Sequence, residues 1–210
     1  MNRNLRPRCS DGMTLIELLG VIVVFAIIWG FVFPGTDAVR RNSLRRKAAA
    51  DAGSLASAVL SYRDVYGRWP LNPTNSEDMV YLAEESDSAD MSACVTASQT
   101  DLISALSHTN KVWNPDSVHF IEIDADDISG GYFVDPWSTT NNPCAYIVSV
   151  DSNGDGWIGK VNPVSSGRNN IGGITVSRSG SAYSHQIPPV KSQVYVFSWT
   201  CGDSEKVEVK

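Results

Sequence analysis

The chain has 210 residues, a formal net charge of −6, 42% hydrophobic residues and 9% aromatic residues. This length allows one domain with a proper core plus an appendage, and the aromatic content argues against a disordered chain. The acidic balance gives little electrostatic support for DNA or RNA binding, so we expect no nucleic-acid partner.

The first element is an apolar run over residues 13–33, in which Glu17 is the only charged side chain. A helix of this length matches the hydrocarbon core of a membrane, which is ~30 Å thick. Arg3, Arg6 and Arg8 precede the run, and basic residues tend to stay on the cytoplasmic side. The pattern predicts a single-pass membrane protein whose later residues lie outside the cytoplasm.

Three interpretations of this run differ in what they do with Glu17. A secretory signal would be cleaved after the small residues at 36–38, and a plain signal anchor would leave the carboxylate unpaired, which costs roughly 2.5–3.5 kcal/mol deep in a bilayer. A cut between Gly12 and Met13 would instead create an amino terminus one helical turn from Glu17. The carboxylate would then pair with the amine of its own chain or of a neighbouring chain in an assembly.

The sequence Gly12 followed by MTLIELL resembles the cleavage and assembly motif of type IV pilins and of type II secretion pseudopilins. The resemblance implies that a prepilin peptidase removes a leader of residues 1–12 and that the new N-terminus at Met13 is methylated. It also implies that Glu17 is an assembly residue. Pro34 resembles the helix-kinking proline of pilins, although it would also serve simply to end the apolar helix.

The helix is expected to continue as an amphipathic segment over residues 35–69, after an apolar first part over residues 13–34. Apolar side chains recur mostly at helical spacing, at Val39, Leu44, Ala48, Leu55, Val59, Tyr62 and Tyr66. A basic cluster within residues 40–47 would touch lipid headgroups or acidic neighbours, or form a solvated face. Gly67 and Pro70 end the helix, and this stretch resembles the helix end of the major type II pseudopilin.

Residues 70–210 are expected to form an α+β head. Capping residues and helical patterns predict short helices at 75–85 and 100–108, with a polar loop between them. Alternating or apolar segments predict strands at 118–123, 145–150, 171–178 and 192–199. The fold class is therefore α+β, with a long N-terminal helix, transmembrane in its first half and amphipathic in its second, packed on a small antiparallel β-sheet.

A loop of alternating oxygen-bearing residues follows the predicted strand at 145–150. Asp151, Asn153 and Asp155, with the carbonyl of Trp157, suit the hard oxygen ligands that Ca²⁺ takes, although a turn that bonds its own backbone explains the same residues. The surrounding stretch from Asp135 also resembles the major pseudopilin, with Ser138 and Cys144 in place of an expected glycine and aromatic residue. That resemblance implies a structural Ca²⁺ in this region. Three further acids at 124, 126 and 127 are either solvated or supply a missing ligand.

The cysteines and histidines give no sign of catalysis. Cys94, Cys144 and Cys201 would face an oxidising compartment, where one disulfide and one free thiol are expected, with Cys144–Cys201 preferred. The three histidines share no metal-ligand spacing, and no nucleophile elbow or phosphate-binding loop occurs. We therefore expect a protein that is not an enzyme.

The function implied by the resemblance is that of a structural subunit in the periplasmic pseudopilus of a type II secretion system, which helps export folded proteins. Its partners would be further copies of itself, other pseudopilins, the prepilin peptidase, the inner membrane and its assembly platform. The head would lie in the periplasm of a bacterium, with the chain anchored in the inner membrane. A surface type IV pilus subunit for adhesion or uptake, and an uncleaved membrane-anchored binding domain, are the alternatives.

Overall fold

The helices and strands follow the chain from an apolar N-terminal segment to a mixed α+β head. The computed structural model describes residues 14–32, 36–72, 77–83, 88–90, 94–139, 144–159, 174–177, 184–187, 189–198 and 207–209. The helices are α1 (Leu15–Val32), α2 (Thr36–Tyr66) and α3 (Gln99–Leu106). The strands are β1 (Asp78–Leu82), β2 (Ser88–Asp90), β3 (Cys94–Ser98), β4 (Ile128–Ser129), β5 (Tyr132–Phe133), β6 (Tyr146–Val150), β7 (Ile174–Ser177), β8 (Ser184–Ile187), β9 (Val194–Ser198) and β10 (Val207–Val209).

The chain divides into two units, Met1–Ser43 and Leu44–Lys210. The first unit contains α1, whose described side chains are all exposed. Among the described residues, the structure contains no helix with the length and apolar character required to cross a membrane. The predicted transmembrane first half is therefore wrong. The 18 residues of α1 extend about 27 Å, short of a hydrocarbon core of about 30 Å, and the charged Glu17 occupies their first turn.

The second unit buries one face of α2. Small and apolar side chains recur every three or four residues and are fully or almost fully buried, namely Ala48, Ala52, Leu55, Ala56, Val59 and Tyr62. This stripe confirms the predicted amphipathic pattern from residue 48 onward, whereas Val39 is exposed. Pro34 lies outside the described residues, so a single kinked helix through this position stays a prediction.

The main sheet of the second unit has five strands in the order β10–β9–β6–β1–β3. Its pairs are antiparallel except for β1 and β3, which run parallel, so the prediction of an antiparallel sheet is wrong. The segment between β1 and β3 contains β2, which belongs to a second sheet of order β2–β7–β8. The chain thus leaves the main sheet and returns in the same direction, which a crossover connection permits and a tight hairpin does not.

Strands β1, β6 and β9 are buried on both faces. One face packs with α2 and α3 in the larger cluster of buried apolar residues. The opposite face joins a smaller cluster of Val80, Leu82, Ile147, Ile158, Val190, Tyr195 and Phe197. Ile158 and Val190 lie outside the named strands and exchange two backbone hydrogen bonds of 2.8 and 3.0 Å. Residues of the segments after β6 and before β9 therefore contribute to the cover of the second face.

Helix α3 confirms the helix predicted at 100–108, and Ser98 caps it by accepting a hydrogen bond from the Thr100 N–H at 3.2 Å. Gln99, at its start, is completely buried. Its Nε2 donates to the carbonyl oxygens of Phe133 and Tyr146, and its Oε1 accepts from the Phe133 N–H. These bonds satisfy the buried amide and fix α3 against β5 and β6.

Two predicted elements differ from the structure. The segment predicted as a helix at 75–85 contains β1, because five consecutive buried residues in Asp78–Leu82 fill the middle of a sheet. The strand predicted at 118–123 has no regular secondary structure. Its backbone is instead held by side chains such as Asn114, which bonds both the N–H and the carbonyl of Val118.

Candidate functional site

The first candidate site is the beginning of α1, where Glu17 is tied to Thr14. The Oε2 atom of Glu17 accepts hydrogen bonds from the backbone N–H and the hydroxyl of Thr14 at 2.8 and 2.9 Å. The Thr14 hydroxyl oxygen in turn accepts a bond from the Glu17 N–H at 3.3 Å. This reciprocal pattern is a capping box, which satisfies N–H groups that the first helical turn leaves without partners.

The capping box gives Glu17 a role within its own chain that the sequence interpretation missed. The signal was present in the spacing Thr14-x-x-Glu17. The bonds from Thr14 lower the pKa of the exposed Glu17 carboxyl, so the group is held ionised. Gly12 and Met13 lie outside the described residues, and the predicted contact between Glu17 and a new amino terminus therefore stays a prediction.

The second candidate site is the aspartate loop, residues 151–159, which follows β6. Asp151 is buried, and its backbone N–H donates to the Gln193 carbonyl at 3.0 Å. Its two carboxylate oxygens accept from the Gly154 and Gly156 N–H groups at 2.8 and 2.9 Å. Both glycines have positive φ angles of 75° and 82°, which residues with a β-carbon rarely adopt. The loop is therefore wrapped around the Asp151 side chain.

The next two side chains of the aspartate loop form successive Asx turns. The Oδ1 atom of Asn153 accepts from the Asp155 N–H at 2.9 Å, and the Oδ1 atom of Asp155 accepts from the Trp157 N–H at 2.8 Å. The structure thus brings the predicted side-chain ligands together in one loop, with each bonded to backbone N–H groups. The predicted role of the Trp157 carbonyl as a ligand stays a prediction.

Asp78, the first residue of β1, is a member of this site that the sequence interpretation missed. The residue is 2% exposed, and its Oδ2 atom accepts from the Gly159 N–H at 2.8 Å. Its Oδ1 atom is buried without a hydrogen-bond partner. Burial, together with the charges of Asp151 and Asp155, raises the pKa of Asp78 to about 7 against the lowering effects of the Gly159 bond and of the nearby Ser152 N–H. The signal available in the sequence was a carboxylic acid at the first position of a strand that is buried.

The donor set of this site matches the chemistry of Ca²⁺, which prefers carboxylate and amide oxygens. The buried, unpartnered Oδ1 atom of Asp78 is the observation that favours such a ligand, because an orphaned polar atom in the interior is costly. Within the described part of the chain, however, no group of three or more acidic, histidine or cysteine side chains is already placed to hold an ion. Ion binding would require loop oxygens to exchange backbone partners for the metal.

The acids at 124–127 are placed differently from those of the aspartate loop. Asp127 lies in a 3-10 turn, Ala125–Asp127, and pairs with Lys47 of α2 at 2.5 Å between Nζ and Oδ1. This bond is the main cause of a raised pKa at Lys47. The pair fixes the turn to α2, which gives Asp127 a structural partner within its own chain.

The turn that begins at Asp135 explains one departure from the pseudopilin pattern. Asp135 is buried and accepts from the Trp137 N–H at 3.0 Å and from the Ser198 hydroxyl. The Ser138 hydroxyl oxygen accepts from the Cys144 N–H at 2.8 Å and lies 3.2 Å from Asp135 Oδ1. Ser138 therefore ties the turn to Cys144, two residues before β6, which a glycine could not do. Cys144 is disulfide-bonded, and Cys201 lies outside the described residues.

No protein-family model, no curated protein and no solved structure matches this chain. The resemblance to type IV pilin-like proteins therefore stays a prediction that rests on the motifs quoted above. The described geometry contributes two facts to it: a capped apolar helix with Glu17 in its first turn, and a loop of oxygen-bearing residues beside a buried carboxyl group.

Proposed function

We propose that this chain is a structural, non-enzymatic subunit of a periplasmic pseudopilus of a type II secretion system. It polymerises through its N-terminal helix and helps export folded proteins. The observation that carries the proposal is the surface of α1. Its described large apolar side chains are 43% to 82% exposed, with Val21 and Leu15 at the two limits.

An exposed helix of this kind needs a partner. Burying apolar surface is favourable by roughly 25 cal/mol per Å², so a helix that is apolar on every side is stable only when it is surrounded. In the proposed filament, α1 helices of neighbouring copies and of other pseudopilins supply this cover. The filament interior would then surround the apolar side chains of α1, as the membrane was predicted to do.

The capping box supports a specific role for Glu17 in assembly. Removal of residues 1–12 by a prepilin peptidase would leave Thr14 as the second residue of the mature chain, so the box survives processing. The same cut would place a methylated, positively charged amine at Met13, close to the ionised Glu17 carboxylate and the positive end of the helix dipole. Glu17 then pairs with the amine of its own chain or of the preceding subunit at the assembly platform of the inner membrane.

The aspartate loop is proposed as a structural calcium site that holds the head rigid within the filament. Asp78, Asp151, Asn153 and Asp155 would hold the ion, together with the Trp157 carbonyl. The support is the unpartnered oxygen of Asp78 and its electrostatic interaction with Asp151 and Asp155. The ion would neutralise carboxylates that otherwise repel one another in a buried setting.

The intact mass of protein isolated from native cells tests the proposal. The mature chain is expected to have 210 − 12 = 198 residues, to begin at Met13 and to carry an N-terminal methyl group. Its side-chain net charge becomes −8, from 17 − 3 = 14 basic and 23 − 1 = 22 acidic groups. An uncut chain, or a start at Val39, contradicts the proposal. Filaments on the cell surface at native expression levels would assign the subunit to a surface pilus instead.

A further inference from the structure

Asn153 and Gly154 form the only Asn-Gly pair of the chain, and Asn153 is exposed at the tip of the aspartate loop. Asparagine followed by glycine is chemically labile. The backbone nitrogen of the next residue can attack the side-chain amide carbon, and glycine offers no side chain that hinders the attack. A β-carbon built on Gly154 would meet nothing within 4 Å, so the space around the attacking nitrogen is open.

The hydrogen bonds of the loop act on both reacting groups. The N–H of Gly154, which must lose its proton, donates to Asp151 Oδ1 at 2.8 Å, within the distance required of a general base. The Oδ1 atom of Asn153, where negative charge develops, accepts from the Asp155 N–H at 2.9 Å, the distance of an oxyanion donor. The Asx turn also folds the Asn153 amide back toward its own C-terminal peptide.

We propose that Asn153 is a self-modification site, at which the folded loop promotes deamidation. The Gly154 nitrogen forms a bond to the Asn153 amide carbon while its proton passes to Asp151. The bond from that carbon to Nδ2 then breaks, and the nitrogen leaves as ammonia with the transferred proton. Water opens the resulting succinimide at either carbonyl, which gives aspartate or isoaspartate at position 153. This inference does not depend on the filament proposal.

The loop contains an internal comparison one step further along. Asp155 and Gly156 repeat the arrangement, because the Gly156 N–H donates to Asp151 Oδ2 and the Trp157 N–H donates to Asp155 Oδ1. An ionised carboxylate is a much poorer electrophile than an amide, so Asp155 should react far more slowly. The aspartate product at 153 would complete a run of carboxylates at 151, 153 and 155, which increases the negative charge offered to a cation.

The test measures deamidation of the purified full-length chain in calcium-free buffer at mildly alkaline pH, because an ion bound by Asp151 and Asn153 would occupy both reacting groups. Peptide mapping by mass spectrometry follows the gain of about 1 Da at residue 153, and the ammonia released gives a second readout. The same chain unfolded in urea serves as the reference for the intrinsic reactivity of the Asn-Gly pair. Asn42, exposed within α2 and followed by Ser43, serves as an asparagine outside the loop.

We expect residue 153 to react about tenfold faster in the folded chain than in urea. Asp151→Asn keeps an acceptor for the Gly154 N–H but removes the base, and should return the rate to that of the unfolded chain. Circular dichroism establishes that this variant is folded. An equal or slower rate in the folded wild type would overturn the proposal, because the loop would then protect Asn153. An unchanged rate in folded Asp151→Asn would show that Asp151 is not the base, and would likewise overturn the proposal.

Discussion

Helices α1 and α2 are consecutive in the chain but differ in how far their apolar side chains are exposed. The described side chains of α1 are exposed on every side, although the helix consists almost entirely of apolar residues. Helix α2 contains many charged residues, yet a stripe from Ala48 to Tyr62 is buried against the sheet. Among the described residues, the more apolar helix is thus the more exposed one.

The difference lies in the distribution of apolar residues rather than in their number. A single apolar stripe, such as that of α2, can be covered by one sheet face. A helix that is apolar all round cannot be covered from one side, so α1 requires several neighbours. The comparison therefore separates the head, which buries its own apolar stripe, from α1, which the proposed filament would have to cover.

The largest effect is expected at Glu17, where helix capping can be separated from the proposed assembly contact. Glu17→Leu should abolish filament formation, because in the proposed filament it would leave the Met13 amine without its charge partner. Glu17→Gln should fail as well, since its amide keeps a hydrogen-bond acceptor for Thr14 but carries no charge. Filament yield is measured by shearing and immunoblotting of cells that overproduce the subunit.

Thr14→Ala is the matched control, because it removes the hydroxyl from the capping box and leaves the carboxylate in place. A capping change costs about 1 kcal/mol of helix stability, so filaments should still form. If Thr14→Ala were as defective as Glu17→Gln, the carboxylate would act through the capping box alone, and the assembly contact would be ruled out.

A second pair of variants tests which helix supports the head. Leu55→Ala, in the buried stripe of α2, should destabilise the folded head by about 2–5 kcal/mol through lost burial and the cavity it leaves. Leu19→Ala, at an exposed position of α1, should leave the free energy of unfolding of the head unchanged. Urea denaturation followed by tryptophan fluorescence measures both. Equal destabilisation would show that α1 is part of the folded head, contrary to the comparison.

Calcium should act on the head and not on α1. If the aspartate loop holds Ca²⁺, an excess of roughly a hundredfold over Kd should stabilise the head by about 2.7 kcal/mol. EGTA should lower the melting temperature, and Mg²⁺ should not restore it. The double variant Asp151→Ala/Asp155→Ala should lose this response and still fold. A melting temperature that is indifferent to millimolar calcium would show that the loop is only a set of Asx turns.

The smallest effect concerns the pH dependence of stability that arises from the buried carboxyl of Asp78. The raised pKa of Asp78, about 7, means that folding favours the protonated carboxyl. This contribution is fully present below the unfolded pKa of about 4 and is lost as the pH rises through about 7. In calcium-free buffer we therefore expect the free energy of unfolding to fall across this range. Asp78→Asn should abolish this loss of stability, whereas Asp101→Asn, at an exposed position, should leave it in place. If the dependence of stability on pH were unchanged in Asp78→Asn, the assignment of this dependence to Asp78 would be refuted.

The elements that could be predicted from the sequence are those with a strong local signal. The stripe of α2, the helix α3 and the strand β6 follow from periodicity and composition alone, and Asp151, Asn153 and Asp155 were identified by their alternation. The side-chain bonds of these three loop residues join positions only two to five apart, and the periodicity of the other elements is a local pattern even though their packing partners are distant. Local patterns therefore sufficed for these parts.

The elements that were predicted wrongly depend on distant partners. Strand β1 begins with helix-favouring capping residues, but its place between β6 and β3 imposes an extended backbone. Asp78 joins the aspartate loop only because β1 pairs with β6, in a register that matches Met79 with Val150. The start of α1 was placed at Met13 because an apolar run gives composition only, whereas the described helix begins after its cap, Thr14.

The order of strands in the main sheet has a consequence for the synthesis of the protein. Helix α2 is translated early, but the sheet that covers its stripe includes β6 and β9, and β9 ends at Ser198, close to the end of the chain. The apolar face of α2 therefore stays uncovered until β6 and β9 have been made. Long-range pairing of this kind is slow, and exposed apolar surface aggregates or recruits chaperones. The nascent subunit should consequently depend on a holding chaperone until its last strands have emerged.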